Sequence, residues 1–464
     1  MCPISTNSAG PAGHTAFPMT CSPTLDWLLA QRIGLLGYGR DGRATARALL
    51  ARDPGASLTV LVEGGEADSE LPVVNGPFDS RLKDFDVLVR SPGVPVDHPA
   101  LRAAREAGVP VVNPASIWLA EKGGELTVVG VTGSKGKSTT SSLLAHLLRA
   151  QGHEVLLGGN IGVPLLDHLD TAAEIAVVEL SSYQLADLQG SLDLGLFTRL
   201  FPEHLDWHGT EAAYIAAKLR IAELLDGRPL LVNGGDERLV AATGSLPGRV
   251  LANRPPGVWR DGNRLMIGDA PLCPEGVLPL IGQHNLDNAA LALQAAIMLG
   301  NDSRELVDAL ATFRPLPHRL EPVATLDGVR YINDSISTSP WATVAALDAL
   351  GDAPVILIAG GQSRPADWQP VLDRVGEHGL EALLTIPDNG ADIARCFRET
   401  VRDRVGTIEN LDGLDLAVAR ARELAQSGAV VLLSPGAPSF SRFRDFEQRG
   451  ERFRELVSGR SLCQ

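Results

Sequence analysis

Lysine is nearly absent from this chain. Of its 41 basic residues only five are lysines, Lys83, Lys122, Lys135, Lys137 and Lys218; the rest are arginines. Arginine is used wherever a plain positive charge will serve, so a retained lysine points to a need for a compact amine that can lose its proton. Basic charge is scarce altogether. A formal net charge of −15 excludes a protein whose main work is gripping nucleic acid or an anionic membrane surface. No run approaches the roughly 18 apolar residues of a spanning helix, so no membrane association is expected. The cysteines, Cys2, Cys21, Cys273, Cys396 and Cys463, form no CxxC pair and no metal-ligand spacing, and read as plain thiols in a reducing compartment. Residues 1–24 contain neither Lys nor Arg and so lack the charged start of a secretory signal. Rich in Ser, Thr, Pro and Gly, they are expected to be a mobile tail on a cytoplasmic protein.

What is present is a long α/β pattern. A chain of 464 residues implies two to four domains, and 44% hydrophobic content supports large cores. Short β-branched runs at Ile33–Leu36, Leu58–Val62, Val87–Val89, Val128–Val131, Ile175–Leu180, Leu230–Val232, Val355–Ala359 and Val430–Leu433 read as strands buried on both faces, as in parallel sheets. Helical stretches such as Thr139–Ala150 and Ala289–Leu299 alternate with them. Three blocks follow the tail, at 25–114, 115–315 and 316–464, the last beginning at a hinge-like Pro315-Leu316-Pro317.

The strongest local signal opens the second block. Gly133, Ser134, Lys135, Gly136, Lys137, Ser138 and Thr139 lie between a strand and a helix with apolar Leu143, Leu144, Leu147 and Leu148. Glycines there let backbone N–H groups turn inward around phosphate, and the helix N-terminus adds its dipole. Lys137 would reach the outer phosphates and the Ser138 hydroxyl would hold Mg2+. The spacing is tighter than the common G-x-x-x-x-G-K-[ST] form. A bare glycine-rich turn is the bland alternative. Even granted the phosphate loop, kinase, ATPase and ligase all remain open.

Two other patterns carry competing readings. Gly37–Gly42 follows the first strand and resembles a GxGxxG loop, with Glu63 near the acidic position of a dinucleotide site. His204 and His208 have the i, i+4 spacing of a zinc pair, but HLDWH lacks the glutamate of HExxH and no third ligand is evident.

From the phosphate loop onward the sequence resembles the Mur ligases and their relatives the folylpolyglutamate synthases. Motifs in family order carry the resemblance: Gly159-Asn160-Ile161-Gly162, Glu179-Leu180-Ser181-Ser182-Tyr183-Gln184, Phe201 through His208, Tyr214 through Lys218, Gly282-Gln283-His284-Asn285, Pro317-His318-Arg319, Asn333-Asp334-Ser335, and Ser434-Pro435 through Phe446-Glu447-Gln448-Arg449-Gly450. The last of these favour the glutamate-adding branch. The resemblance implies a three-domain α/β architecture: a Rossmann-like UDP domain, a central P-loop ATPase domain and a Rossmann-like C-terminal amino-acid domain. It implies a monomer that uses ATP to join glutamate to UDP-N-acetylmuramoyl-L-alanine through an acyl phosphate, with ADP and phosphate as products.

Site residues follow from the same resemblance. Ser138, Glu179, His204 and Lys218 would serve two Mg2+ ions, Lys218 as a carbamate formed with CO2. Lys137, Lys218 and His204 would be catalytic. Asn285, Arg319 and Asp334 would join the phosphate loop in holding ATP. Arg40, Asp41 and Gly42, as a loop taking the diphosphate, would bind the UDP substrate with Glu63, Ser91, Gly93, Asn160 and His318; this reading displaces the dinucleotide one. Thr338, Arg364, Ser439 and Phe446 would surround the glutamate. Two family lysines are missing, replaced by Ile336 and Arg364. With GSKGKS, NDSISTSP and SPGAPSF, this looks like a variant branch that adds L-glutamate. A P-loop kinase or a non-catalytic UDP-sugar-binding protein are the readings from other classes.

Overall fold

The computed structural model describes residues 22–63, 69–280, 282–314, 316–364, 366–440 and 442–459. Most of the expected tail, residues 1–21, lies outside them, as does Pro315 of the expected hinge; within them, Thr24 already caps a helix, Leu25–Leu29.

Three large sheets carry most of the described chain, and a small three-stranded sheet is made by Val258–Asp261, Arg264–Ile267 and Ala270–Pro271. The first consists of β1 (Ile33–Leu36), β2 (Leu58–Val62), β3 (Val73–Asn75), β4 (Val87–Arg90) and β5 (Val111–Val112), in the order β3-β2-β1-β4-β5 and all parallel. The second consists of β6 (Thr127–Thr132), β7 (Val155–Gly159), β8 (Ile175–Glu179), β9 (Leu194–Phe197), β10 (Leu230–Asn233) and β11 (Arg249–Ala252). It runs β11-β10-β9-β6-β8-β7 and is also parallel throughout. The third consists of β12 (Glu321–Leu326), β13 (Val329–Asn333), β14 (Val355–Gly360), β15 (Leu380–Ile386), β16 (Val405–Asn410) and β17 (Val430–Leu433), in the order β12-β13-β17-β14-β15-β16. Only its edge pair β12–β13 is antiparallel. The central strands β1, β4, β8 and β17 are buried at every position and β6 at all but its first, as expected of strands covered by helices on both faces.

Contacts divide the described chain into two compact units. One holds the chain as far as Trp259 with Ile267–Asp269 and Ala290–Leu306; the other holds Arg260–Met266, Ala270–Ala289 and the chain from Val307 onward. The first and second sheets belong to the same unit because one core runs through both. Helix Pro114–Lys122 carries fully buried Ile117 and Trp118 into it, together with Leu35 and Val60 of the first sheet and Val178 and Phe197 of the second. The third sheet has a core on each face, one around Leu357 and Phe397, the other around Ile358 and Phe453.

In each sheet the central strands end together, and this places loops from different parts of the chain side by side. Parallel sheets offer that carboxyl edge to ligands. On the second sheet it brings together the turns after β6, β8 and β9, with Val131 paired to Glu179 and Thr132 to Phe197.

Candidate active site: a phosphate loop, a buried carboxylate and a buried lysine

The loop after β6 is shaped by its glycines. Gly133 has φ +147° and a Cβ there would lie 2.0 Å from the Thr198 hydroxyl, so no other residue fits. Gly136, at φ +90°, caps helix Lys137–Ala150, which starts two residues before the expected Thr139. The four first amides of that helix lack intrahelical acceptors and face the loop, which makes the turn an anion cradle.

The side chains of the loop divide the labour. The Lys137 amine donates to the carbonyls of Gly133 (2.9 Å) and Ser134 (3.1 Å). Ser134 and Lys135, also expected at ATP, have side chains that contact the protein. The Ser134 hydroxyl donates to the Phe201 carbonyl at 2.7 Å and meets the Tyr214 hydroxyl at 2.8 Å; the Lys135 amine pairs with Glu203 at 3.0 Å. Both thereby tie the phosphate loop to the segment that leads into His204.

Glu179 ends β8 and is 1% exposed. The Asn160 amide donates to its Oε1 at 2.7 Å, while Oε2 is buried with no hydrogen-bond partner among the described residues. A buried carboxylate oxygen left bare is costly, and a cation is the partner that suits it. The donor set at this edge (Glu179, the Ser138 hydroxyl and His204) is oxygen-rich and fits Mg2+.

Lys218 sits in helix Glu211–Leu219 and is 2% exposed. Its amine donates to the Gly133 carbonyl at 2.7 Å, so Lys137 and Lys218 share one acceptor. Burial, and after it the neighbouring Lys137 charge, hold the Lys218 amine well below the usual lysine range. Burial thereby favours the uncharged, nucleophilic form of this amine.

His204 adopts a left-handed backbone, φ 56°, at the start of helix Leu205–His208. Around it stands an aromatic cluster that the sequence reading missed. The Tyr183 ring lies 5.0 Å from His204 and 4.6 Å from Trp207, and His208 lies 4.5 Å from Trp207 and 5.3 Å from Tyr214. The second histidine of the supposed zinc pair, His208, meets the Ser182 hydroxyl at 2.9 Å. In a chain with only 5% aromatics, this concentration was the available signal.

The loops of the first sheet belong to the same unit. Arg40-Asp41-Gly42, expected as a loop, is the first turn of helix Arg40–Arg52, because Gly39 serves as its N-cap. Gly42 is obligatory there, since a Cβ would lie 2.3 Å from the Gly37 carbonyl. Arg40 reaches the Gly162 carbonyl at 3.1 Å, and burial pushes the Asp41 carboxyl up. The Ser91 hydroxyl donates to the Gly37 carbonyl at 3.0 Å, and Glu63 accepts from the Phe78 amide at 2.5 Å.

The remaining candidates lie in the other unit, most of them at the carboxyl edge of the third sheet. Asp334 follows β13 and is buried. Its carboxylate accepts from the hydroxyls of Ser337 (2.5 Å) and Ser434 (2.9 Å) and the Leu320 amide (3.2 Å), and burial still pushes it up to about 6. Fully buried Arg449 donates to the carbonyls of Ser335 and Ala437, which stitches the turns after β13 and β17 together. Ser439 is buried and Phe446 half-buried in the chain that follows β17, while Thr338 and Arg364 are exposed. Phe446 starts helix Phe446–Ser458 with its ring 6.2 Å from His318. The His318 ring is wedged in place, with Nδ1 2.9 Å from the Asn333 amide. Asn285 is buried in helix Gln283–Met298, its side-chain oxygen accepting from Asn288, and Arg319 is half-buried.

Residues 131–251 match the Mur ligase middle domain, and residues 318–436 match the glutamate ligase domain of Mur ligases. A protein of Micromonospora sp. named UDP-N-acetylmuramoyl-L-alanine--L-glutamate ligase is 43% identical over 93% of this chain and 97% of its own length. The chain belongs to the Mur ligase family. A Salinispora tropica protein of the same name is 40% identical over 93% of this Mur ligase and 98% of the relative. Among solved structures, a MurF from Acinetobacter baumannii shares the fold with a TM-score of 0.59 at 17% identity, over 92% of this chain and 90% of that one. This Mur ligase is thus an ATP-dependent, peptide-bond-forming ligase built on the three-domain α/β fold. Among its described residues no helix is long and apolar enough to cross a membrane.

Proposed function

We propose that this ligase joins L-glutamate to the carboxyl end of UDP-N-acetylmuramoyl-L-alanine, acting as a cytoplasmic monomer. The substrate carboxylate attacks the γ-phosphorus of ATP, ADP leaves, and an acyl phosphate forms. The glutamate amine, having lost a proton, then attacks the acyl carbon and phosphate departs. Both steps gather negative charge, so positioning and charge neutralisation supply most of the catalysis.

The observation that carries this reading is the convergence of the phosphate loop, the bare Glu179 oxygen and the buried amine of Lys218 at one sheet edge. Lys137 and the helix amides hold phosphate oxygens. Two Mg2+ ions, when bound, would neutralise charge on the transferring phosphoryl group. Ser138, Glu179 and His204 are the residues to hold them, and Asn160 fixes the Glu179 carboxylate. The Lys218 amine, its proton affinity lowered by burial, is suited to attack CO2: the N–C bond forms, a proton leaves, and the side chain ends in a buried carboxylate. Asn285, Arg319 and Asp334 are assigned to ATP. Arg40, Asp41, Gly42, Glu63, Ser91, Gly93, Asn160 and His318 are assigned to the UDP substrate, and Thr338, Arg364, Ser439 and Phe446 to glutamate.

The L isomer is supported by the names of the relatives and by Ile336, which removes one cation from the amino-acid site. The test is incubation with ATP, Mg2+, UDP-N-acetylmuramoyl-L-alanine and each glutamate isomer, following ADP release and product mass. L-Glutamate should be preferred, with ADP and phosphate formed only when both acceptor and amino acid are present. AMP with pyrophosphate, or turnover without the amino acid, would sink the mechanism; preference for D-glutamate would overturn the isomer.

A further inference from the structure

One buried guanidinium joins the first sheet to the second. Arg90 closes β4 and is 0% exposed. Its Nε and Nη2 grip both oxygens of Asp187, each at 2.7 Å. Its Nη1 donates to the carbonyls of Ser91 (3.2 Å), Pro92 (3.1 Å) and Val94 (2.6 Å), and Nη2 donates to the Tyr183 carbonyl (2.8 Å). Asn113, itself buried, donates to Asp187 and to the Gln184 carbonyl, so the carboxylate is fully satisfied. On the other side of the loop, Trp207 donates from its indole to the Gly93 carbonyl at 3.1 Å, and the Arg90 guanidinium lies 5.9 Å from the Trp207 ring.

Structural support alone asks for less than this. An ion pair needs only Asp187, yet three carbonyls of a single turn point at the same cation. That turn cannot change shape without breaking charge-assisted bonds in a buried setting. Tyr183, gripped through its carbonyl, stands four residues after Glu179 and packs against Trp207 and His204.

We propose that Arg90 is a positioning residue that couples occupation of the Ser91–Val94 turn by the nucleotide end of the substrate to the setting of the Tyr183–Trp207–His204 cluster beside the phosphate loop. The proposal rests on the reading of that turn as part of the UDP site. Two ligands linked through one element must affect each other's binding equally, commonly by about five- to 150-fold.

The experiment is calorimetric titration of UDP-N-acetylmuramoyl-L-alanine into the full chain with Mg2+, with and without a non-hydrolysable ATP analogue, alongside steady-state kinetics. In the wild type the analogue should tighten the UDP substrate at least fivefold. Arg90→Lys keeps a cation for Asp187 but lacks the fork. It should bring the coupling factor near one and lower kcat about tenfold or more, with binding of the analogue alone within twofold of wild type. Trp207→Phe, which keeps a ring and loses only the bond to Gly93, should weaken the coupling as well, and decides the matter if Arg90→Lys does not fold. A wild-type coupling factor of one would overturn the proposal. So would variants that lose thermal stability while keeping wild-type coupling and kcat. If the wild type does not bind the UDP substrate at all, the functional reading fails, and the proposal with it.

Discussion

Replacing Lys218 tests the chemistry most directly. Its stem is buried and its amine has one acceptor, the Gly133 carbonyl. Lys218→Ala leaves a cavity, which for a side chain of this size costs about 2–5 kcal/mol of stability. The carbonyl itself is not orphaned, since Lys137 also donates to it. Lys218→Met fills most of the space and should recover much of that stability. Neither variant can form a carbamate, so both should lose activity alike, by about 10²–10³-fold, the scale of removing one preorganised charge-stabilising group. ADP release is the assay, with thermal unfolding as the control. Acetate or formate added to Lys218→Ala should restore part of the rate by supplying a carboxylate in the vacated space. Labelled bicarbonate should give the wild type a carbamate carbon resonance that Lys218→Met lacks. A near-normal rate in Lys218→Met would refute the reasoning, whatever its stability.

Arg364 is exposed and free to offer a planar fork to the glutamate side-chain carboxylate. Arg364→Lys should raise the glutamate KM roughly ten- to hundredfold, and an unchanged KM removes it as the anchor. Asp334 is raised by burial to about 6, so between about pH 4 and 6 the folded chain holds a proton that the unfolded chain releases. Its contribution therefore grows as pH falls through 6, by at most about 3 kcal/mol; denaturant unfolding of Asp334→Asn should lack that increment, and a parallel pH profile would contradict the assignment. Gly42→Ala puts a methyl 2.3 Å from the Gly37 carbonyl and should cost roughly 1–3 kcal/mol of stability while raising the KM for the UDP substrate; wild-type values for both would show that the turn yields freely.

Strand positions were legible because parallel strands buried on both faces leave unbroken apolar runs: Ile33–Leu36, Leu58–Val62 and Val430–Leu433 coincide with β1, β2 and β17. The phosphate loop was legible because only glycine tolerates the backbone at Gly133 and Gly136. Helix starts were less so. Arg40-Asp41-Gly42 looked like loop because its glycine weakens helix propensity, yet Gly42 is there for close packing against Gly37. Side-chain duties inside the phosphate loop were not legible either, since Ser134 and Lys135 find their partners 80 and 68 positions away, at Tyr214 and Glu203. Arg90 was missed although a charge ending the apolar run Val87-Leu88-Val89 is itself a signal; its partner Asp187 lies 97 residues on.

The Gly133 carbonyl, held by two amines at once, has a consequence for how the loop meets a nucleotide. If a phosphate drew the Lys137 amine outward, the oxygen that it left would still be bonded to Lys218. Carbamate formation would not end this, because a carbamate nitrogen keeps one hydrogen to donate. On the proposed function, the loop would lend its cation to the ligand without its own backbone relaxing, and the cradle that received the phosphate would be the one already standing.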